Sequence, residues 1–167
     1  IRDVFNPPPL LQVKRGSGIF LSYGEVVALA GDYYATPEEL DRDITPKVAK
    51  LIHDVSPQSK GWARLAVARG LLGFEFLGLA LSNVDHFTPC NWSAYARYHA
   101  KALLKAVVEQ DLEGALFLNA FADHFLTDAF ASGHMRVPRR PLGLGVEGGV
   151  RSEAMHEKDE ARRIRYR

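Results

Sequence analysis

Polar residues able to bind a metal stand in the most apolar part of the chain. Between Ala120 and Phe130 every residue is small or hydrophobic except Asp123, His124, Thr127 and Asp128. His124 and Asp128 are four residues apart, so on a helix they point the same way, one turn apart. A helix this apolar is buried, and a buried charge is costly unless it is paired or held by a metal. A single pair of this kind is accounted for by a His–Asp hydrogen bond in the core. The residues that follow favour a cation. Ser132-Gly133-His134 adds a third candidate just past that stretch, and His156 with Glu160 repeats the four-residue spacing further on. A histidine and a carboxylate one turn apart can reach one ion. Asp32, in Gly31-Asp32-Tyr33-Tyr34, and His86, in Asp85-His86-Phe87-Thr88-Pro89, sit where apolar segments break. Either alone reads as a cap or turn residue.

Taken together, His124-x3-Asp128-x5-His134 and His156-x3-Glu160 resemble the ligand pattern of the zinc-dependent phospholipases C and the related single-strand nucleases. His86-Phe87-x-Pro89 resembles the segment that gives this superfamily its upstream ligand histidine. Gly31-Asp32-Tyr33-Tyr34 is similar to the segment with its upstream aspartate, most closely in the bacterial zinc metallophospholipase C branch. The resemblance runs in outline from Tyr23 to Glu160. It implies that Asp32, His86, His124 and Asp128 hold one zinc, and that His134, His156 and Glu160 hold a second. In the family Asp128 would bridge to a third zinc, held by the amino terminus and an early histidine. Here no histidine precedes His53 and the sequence opens on Ile1. The expectation is therefore two zincs, with a third only if other groups complete its site; His53 is the one spare histidine for that role.

The activity so implied is hydrolysis of a phosphodiester, first of all the glycerol-side bond of a phospholipid. Zinc lowers the pKa of a bound water from about 16 to about 7, and metals on the phosphoryl oxygens stabilise developing charge. Asp32 would ligate zinc or take the proton of the attacking water. Arg136 and Arg139, with Arg140, follow His134 and are candidates for a phosphate or polar head group; a solvated loop is the plain alternative. Tyr33, with Tyr34 and Trp92, is a candidate for lining an acyl-chain cleft, where core packing is the simpler account. His99 reads as structural, and Asp85 and Asp123 as caps or supports of the histidines beside them. Two other readings stand beside this one: a nuclease or other phosphodiesterase on the same scaffold, and a non-catalytic domain stabilised by zinc that binds lipid.

Ligands drawn from Asp32 to Glu160 need helices to bring them together. Ser22 followed by Glu25 has the form of a capping box, predicting a helix from Ser22 to Ala30. Thr36-Pro37-Glu38-Glu39 is a strong helix start, and Pro46 marks another in the mixed stretch Ile44 to Val55. Long helices are predicted over Trp62–Leu81, Trp92–Gln110 and Leu112–Phe130, the last apolar nearly all round and so central. Ser132 to Gly149 reads as a Gly-, Pro- and Arg-rich loop, and Ser152 to Arg165 as a charged helix. Pro7, Pro8 and Pro9 make residues 1–15 an extended arm. With no alternating strand pattern, the expected fold is all-α: a single-domain multi-helix bundle over 1–167, of about six helices, with the multinuclear zinc site between them.

Composition narrows the partners. At 167 residues the chain is one domain with room for a core. A net charge of +1 and no continuous basic–aromatic stripe argue against nucleic acid, leaving a phospholipid or other phosphodiester, with peripheral membrane contact. Cys90 is the lone cysteine, so there is no internal disulfide and any metal is held by His, Asp and Glu. No signal peptide opens the sequence; the family resemblance favours a secreted or exported protein. The glycines of Pro141 to Val150, and an end inside a charged helix, suggest a fragment, or a longer protein with missing loops.

Overall fold

A computed structural model describes residues 10–13, 16–54, 84–143 and 145–162. The side chains of Asp54, Glu160 and Arg162 lie outside that description, as does the helix predicted over Trp62–Leu81. Among the described residues the fold is mostly helical, with one small sheet.

That sheet departs from the all-α expectation. Strand β1 (Leu10–Val13) pairs antiparallel with β2 (Ile19–Ser22), with Leu11 opposite Leu21 and Val13 opposite Ile19. All four of these side chains are buried. The turn between them uses Gly16 and Gly18 at φ of 83° and 73°, a conformation that glycine enters without a Cβ penalty. Four-residue strands hold only two inward residues each, too short a pattern to stand out from an arm.

Helix α1 (Tyr23–Leu29) starts where expected. Ser22 Oγ accepts from the Glu25 amide while the Glu25 carboxylate accepts from the Ser22 amide at 2.7 Å, a complete capping box. Helix α2 (Pro37–Asp43) is capped by Thr36, whose hydroxyl accepts from the Glu39 amide at 3.1 Å. Helix α3 (Pro46–Asp54) follows. Leu40 and Ile44 are buried with Val26 and Leu29 of α1 and the inner face of the hairpin.

Two longer helices, α4 (Cys90–Val107) and α5 (Leu112–Phe130), form the centre. They run as a helical hairpin. Trp92 meets Phe130 at one end, Tyr98 meets Phe121 in the middle, and Lys105 meets Asp111 at the other. Asp111 caps α5 by accepting from the Gly114 amide at 2.9 Å. α4 begins two residues before the predicted start, directly after a cis Thr88–Pro89 bond.

The predicted loop from Ser132 to Gly149 is corrected at both ends. Ser132–Met135 forms a single helical turn, α6, and the last helix, α7, runs Val146–Arg162. Glycine misled the sequence reading there. Gly148 sits inside α7 because a Cβ at that position would collide with the Gly143 carbonyl, so close approach of the loop explains the residue. No helix among the described residues is long and apolar enough to cross a membrane.

Candidate metal centre

Six of the seven predicted ligands have described side chains, and the fold brings them to one end of the α4–α5 hairpin. α5 carries His124 and Asp128 one turn apart, both buried. α6 adds His134, and α7 adds His156 beside it, with ring centroids 4.7 Å apart. The segment before α4 brings His86, whose backbone carbonyl accepts from Asn91 Nδ2 at 3.2 Å. The turn after α1 brings Asp32. The backbone of α7 includes Glu160, but its side chain lies outside the described residues.

The distances are short. His86 Nδ1 lies 2.8 Å from Asp128 Oδ2 and 3.1 Å from His124 Nε2. His124 Nε2 lies 3.3 Å from Asp128 Oδ2, His134 Nδ1 is 3.7 Å from Asp128 Oδ1, and Asp32 Oδ1 is 3.8 Å from His86 Nδ1. Two trios have donor atoms all within 4.8 Å of one another and could hold a metal ion: Asp32, His86 and His124, and His86, Asp128 and His134.

Hydrogen bonding separates a cation site from a buried polar knot. Buried side-chain atoms are nearly always hydrogen-bonded. Here His86 Nε2, Asp128 Oδ2 and His134 Nδ1 are buried without a hydrogen-bond partner. Asp128 Oδ2 lies within ion-pair reach of two ring nitrogens, His86 Nδ1 and His124 Nε2. His86 Nδ1 and His124 Nε2 share a hydrogen bond at 3.1 Å, while Asp128 Oδ2 and His134 Nδ1 keep buried lone pairs that suit a cation. Helix α1 sets the tautomer of His124. Its Nδ1 lies 3.0 Å from the Val27 carbonyl, which can only accept, so in the neutral ring Nδ1 carries the proton and the Nε2 lone pair faces His86 Nδ1 at 3.1 Å.

Charge follows the same geometry. Burial disfavours the ionised Asp128, but the adjoining His124 and His86 rings outweigh it and hold its carboxyl well below the usual carboxylate range. Burial also opposes charge on His124, yet Asp128 and Asp32 raise it above the ordinary imidazole value. His134 moves the other way: burial, with His156 and His86 nearby, lowers it despite Asp128.

Two glycines make room for these rings. At Gly31, φ is 70°, and a Cβ would lie 2.5 Å from His86 Nε2 and 2.9 Å from the His124 ring. At Gly133 a Cβ would lie 2.5 Å from the His156 ring.

The remaining candidates separate. Arg136 is exposed and lies 3.8 Å from Asp159, while Arg139 is buried and donates to the Gly143 carbonyl. Arg140 is exposed. Tyr33 is partly buried against the core, and Tyr34 is a core residue. Trp92 is exposed, in edge contact with Phe130. His53 stands apart from the cluster, 2.6 Å from Glu25. His99 bonds to Asn119, and Asp123 accepts from Tyr23. Asp85 pairs with Arg97 at 3.6 Å. Cys90 is free.

Sequence reasoning missed Asn91 and Asp159, both buried. Asn91, Ala94 and Tyr98 share one helical face, a spacing that marks Asn91 as inward. A separate cleft of about 540 Å³, between β1, α2 and the far end of the α4–α5 hairpin, shares no residue with the cluster. No family model, curated protein or solved structure matches the chain.

Proposed function

We propose that this protein is a zinc-dependent phosphodiester hydrolase acting on phospholipid head groups, as a phospholipase C does. The observation that carries the reading is the convergence of His86, His124, Asp128 and His134, with Asp128 Oδ2 and His134 Nδ1 buried and without a hydrogen-bond partner. Nitrogen donors with carboxylate oxygens, and no thiolate, are compatible with zinc as with other metals that imidazole binds, and the ligand intervals favour zinc among them. When bound, such a cation supplies Lewis acidity, acidifying water and offsetting charge on a phosphoryl oxygen.

The chain's own residues divide the remaining work. His86, His124 and Asp128 are buried and fix the geometry from below. Asp32 is the open member of the cluster, its side chain 53% exposed, and is placed to take a proton from water at the mouth. Arg136, exposed and two residues after His134, supplies a positive charge for a phosphate. The choice of phospholipid over other phosphodiesters rests on the resemblance of the ligand intervals. The test is hydrolysis of a chromogenic phosphocholine ester and of single-stranded DNA by zinc-loaded protein. Turnover of the ester alone is expected. Cleavage of DNA alone would make the protein a nuclease, and turnover of neither would leave a non-catalytic metal site.

A further inference from the structure

We infer that Tyr23 is a positioning residue for this centre, holding α1 against α5 so that His124 presents an unprotonated nitrogen to the cluster. The inference rests on the proposed metal centre but concerns residues outside its ligand set.

α1 is only seven residues long, yet it contributes twice to the site. The Val27 carbonyl sets the tautomer of His124 at 3.0 Å, and the turn after the helix carries Gly31, packed on His86 and His124, and Asp32. A helix this short is marginal alone, so its register depends on what ties it down. Tyr23 and Val27 are one turn apart on α1, and their partners Asp123 and His124 are adjacent on α5. The Tyr23 hydroxyl donates to Asp123 Oδ2 at 2.6 Å and accepts from Asn119 Nδ2 at 2.6 Å. Asn119 Oδ1 in turn lies 2.6 Å from His99 Nδ1 on α4. The two bonds from α1 form a two-point clamp. Loosening the Tyr23 end lets α1 shift on α5, moving the Val27 carbonyl away from His124 Nδ1 and Asp32 away from His86.

A merely structural hydrogen bond would affect stability and leave the metal unchanged. The experiment therefore compares Tyr23→Phe with His99→Ala, which breaks the same network without touching α1. Co²⁺ affinity and the visible spectrum of bound Co²⁺ are read alongside the nitrogen spectrum of the histidine rings in metal-free protein. Tyr23→Phe is expected to weaken Co²⁺ about tenfold, the lower end for loss of a group supporting a ligand. It is also expected to change the Co²⁺ spectrum and turn His124 from one tautomer into a mixture. His99→Ala is expected to keep all three at wild-type values. Asp123→Ala, reaching the same bond from the other side, should match Tyr23→Phe, while Asp123→Asn, which keeps an acceptor, should restore most of the affinity. Wild-type affinity, spectrum and tautomer in Tyr23→Phe would overturn the inference. If wild type takes up no Co²⁺, the metal reading fails and the tautomer decides alone: a mixture in Tyr23→Phe supports the clamp, and an unchanged His124 overturns it.

Discussion

Asp123 and His124 are neighbours on α5, yet they belong to opposite kinds of polar cluster. Asp123 ends a hydrogen-bonded chain through Tyr23 and Asn119 to His99 in which each link has an aligned donor and acceptor. His124 belongs to a cluster in which His86 Nε2, Asp128 Oδ2 and His134 Nδ1 are buried without a hydrogen-bond partner and the Asp128 carboxylate lies within 4 Å of three ring nitrogens. The first arrangement is complete as protein. The second is costly as protein, because unpaired buried polar groups lose solvation without compensation, and a bound cation would complete it. A histidine beside a carboxylate therefore signals nothing until the alignment of its neighbours is known.

The sharpest way to break this comparison is to mutate both sides. Asp128→Ala removes the carboxylate shared by His86, His124 and His134 and is expected to abolish metal uptake. His99→Ala, on the paired side, should leave metal content unchanged and lower Tm by about 2–4 °C, the effect of about 1 kcal/mol in a domain of this size. Elemental analysis and calorimetry of the two variants would sink the distinction if they lost metal equally.

Gly31→Ala comes next in size. A left-handed conformation costs a non-glycine residue roughly 1–2 kcal/mol, and the new methyl would strike the His86 and His124 rings. Metal affinity is expected to fall at least tenfold, a drop comparable to loss of a group orienting the ligands. Isothermal titration with Zn²⁺ checks it, and wild-type affinity would mean the rings are not where the metal binds.

Acidity separates metal-free from metal-loaded protein. The folded-state value of Asp128 is depressed, so its contribution is present above the ordinary carboxylate value of about 4 and is lost as pH falls through the lower folded value. That of His124 is raised, so its contribution is present below about 6.5 and is lost as pH rises through the raised value. These two groups alone favour metal-free protein between those limits, while His134, with its lowered value, takes stability away as pH falls below about 6.5. Loaded protein should hold its stability on the alkaline side, since a metal needs the neutral imidazole. Thermal melts across pH, with and without zinc, check this; identical profiles would argue against a metal.

The smallest effect is expected at Gly133→Ala, which presses on the His156 ring. Loss of about one metal per chain would tie His156 to a second ion. Unchanged stoichiometry would leave it beside the centre.

Much of this was legible in the sequence because the relevant signals are local. Ser22 with Glu25, Thr36 with Pro37, and the apolar run of α5 each declare an element within a few residues, and the His124–Asp128 spacing declares a shared face. The β hairpin was not legible, since two inward residues per strand fall below the noise of an extended arm. Nor was the start of α7, where Gly148 answers a close approach by Gly143 that no local pattern records. The support of His124 by Val27 was hidden for a similar reason: a backbone carbonyl has no signature in the sequence, and only the packing of α1 on α5 reveals it.

The central claim is that the unpartnered cluster holds metal. Its most direct test is metal content per chain, by elemental analysis after dialysis from a zinc-replete buffer, for wild type and His124→Ala. The account predicts bound zinc in wild type and its loss in the variant. Wild type without zinc, or a variant that keeps all of it, would contradict the account.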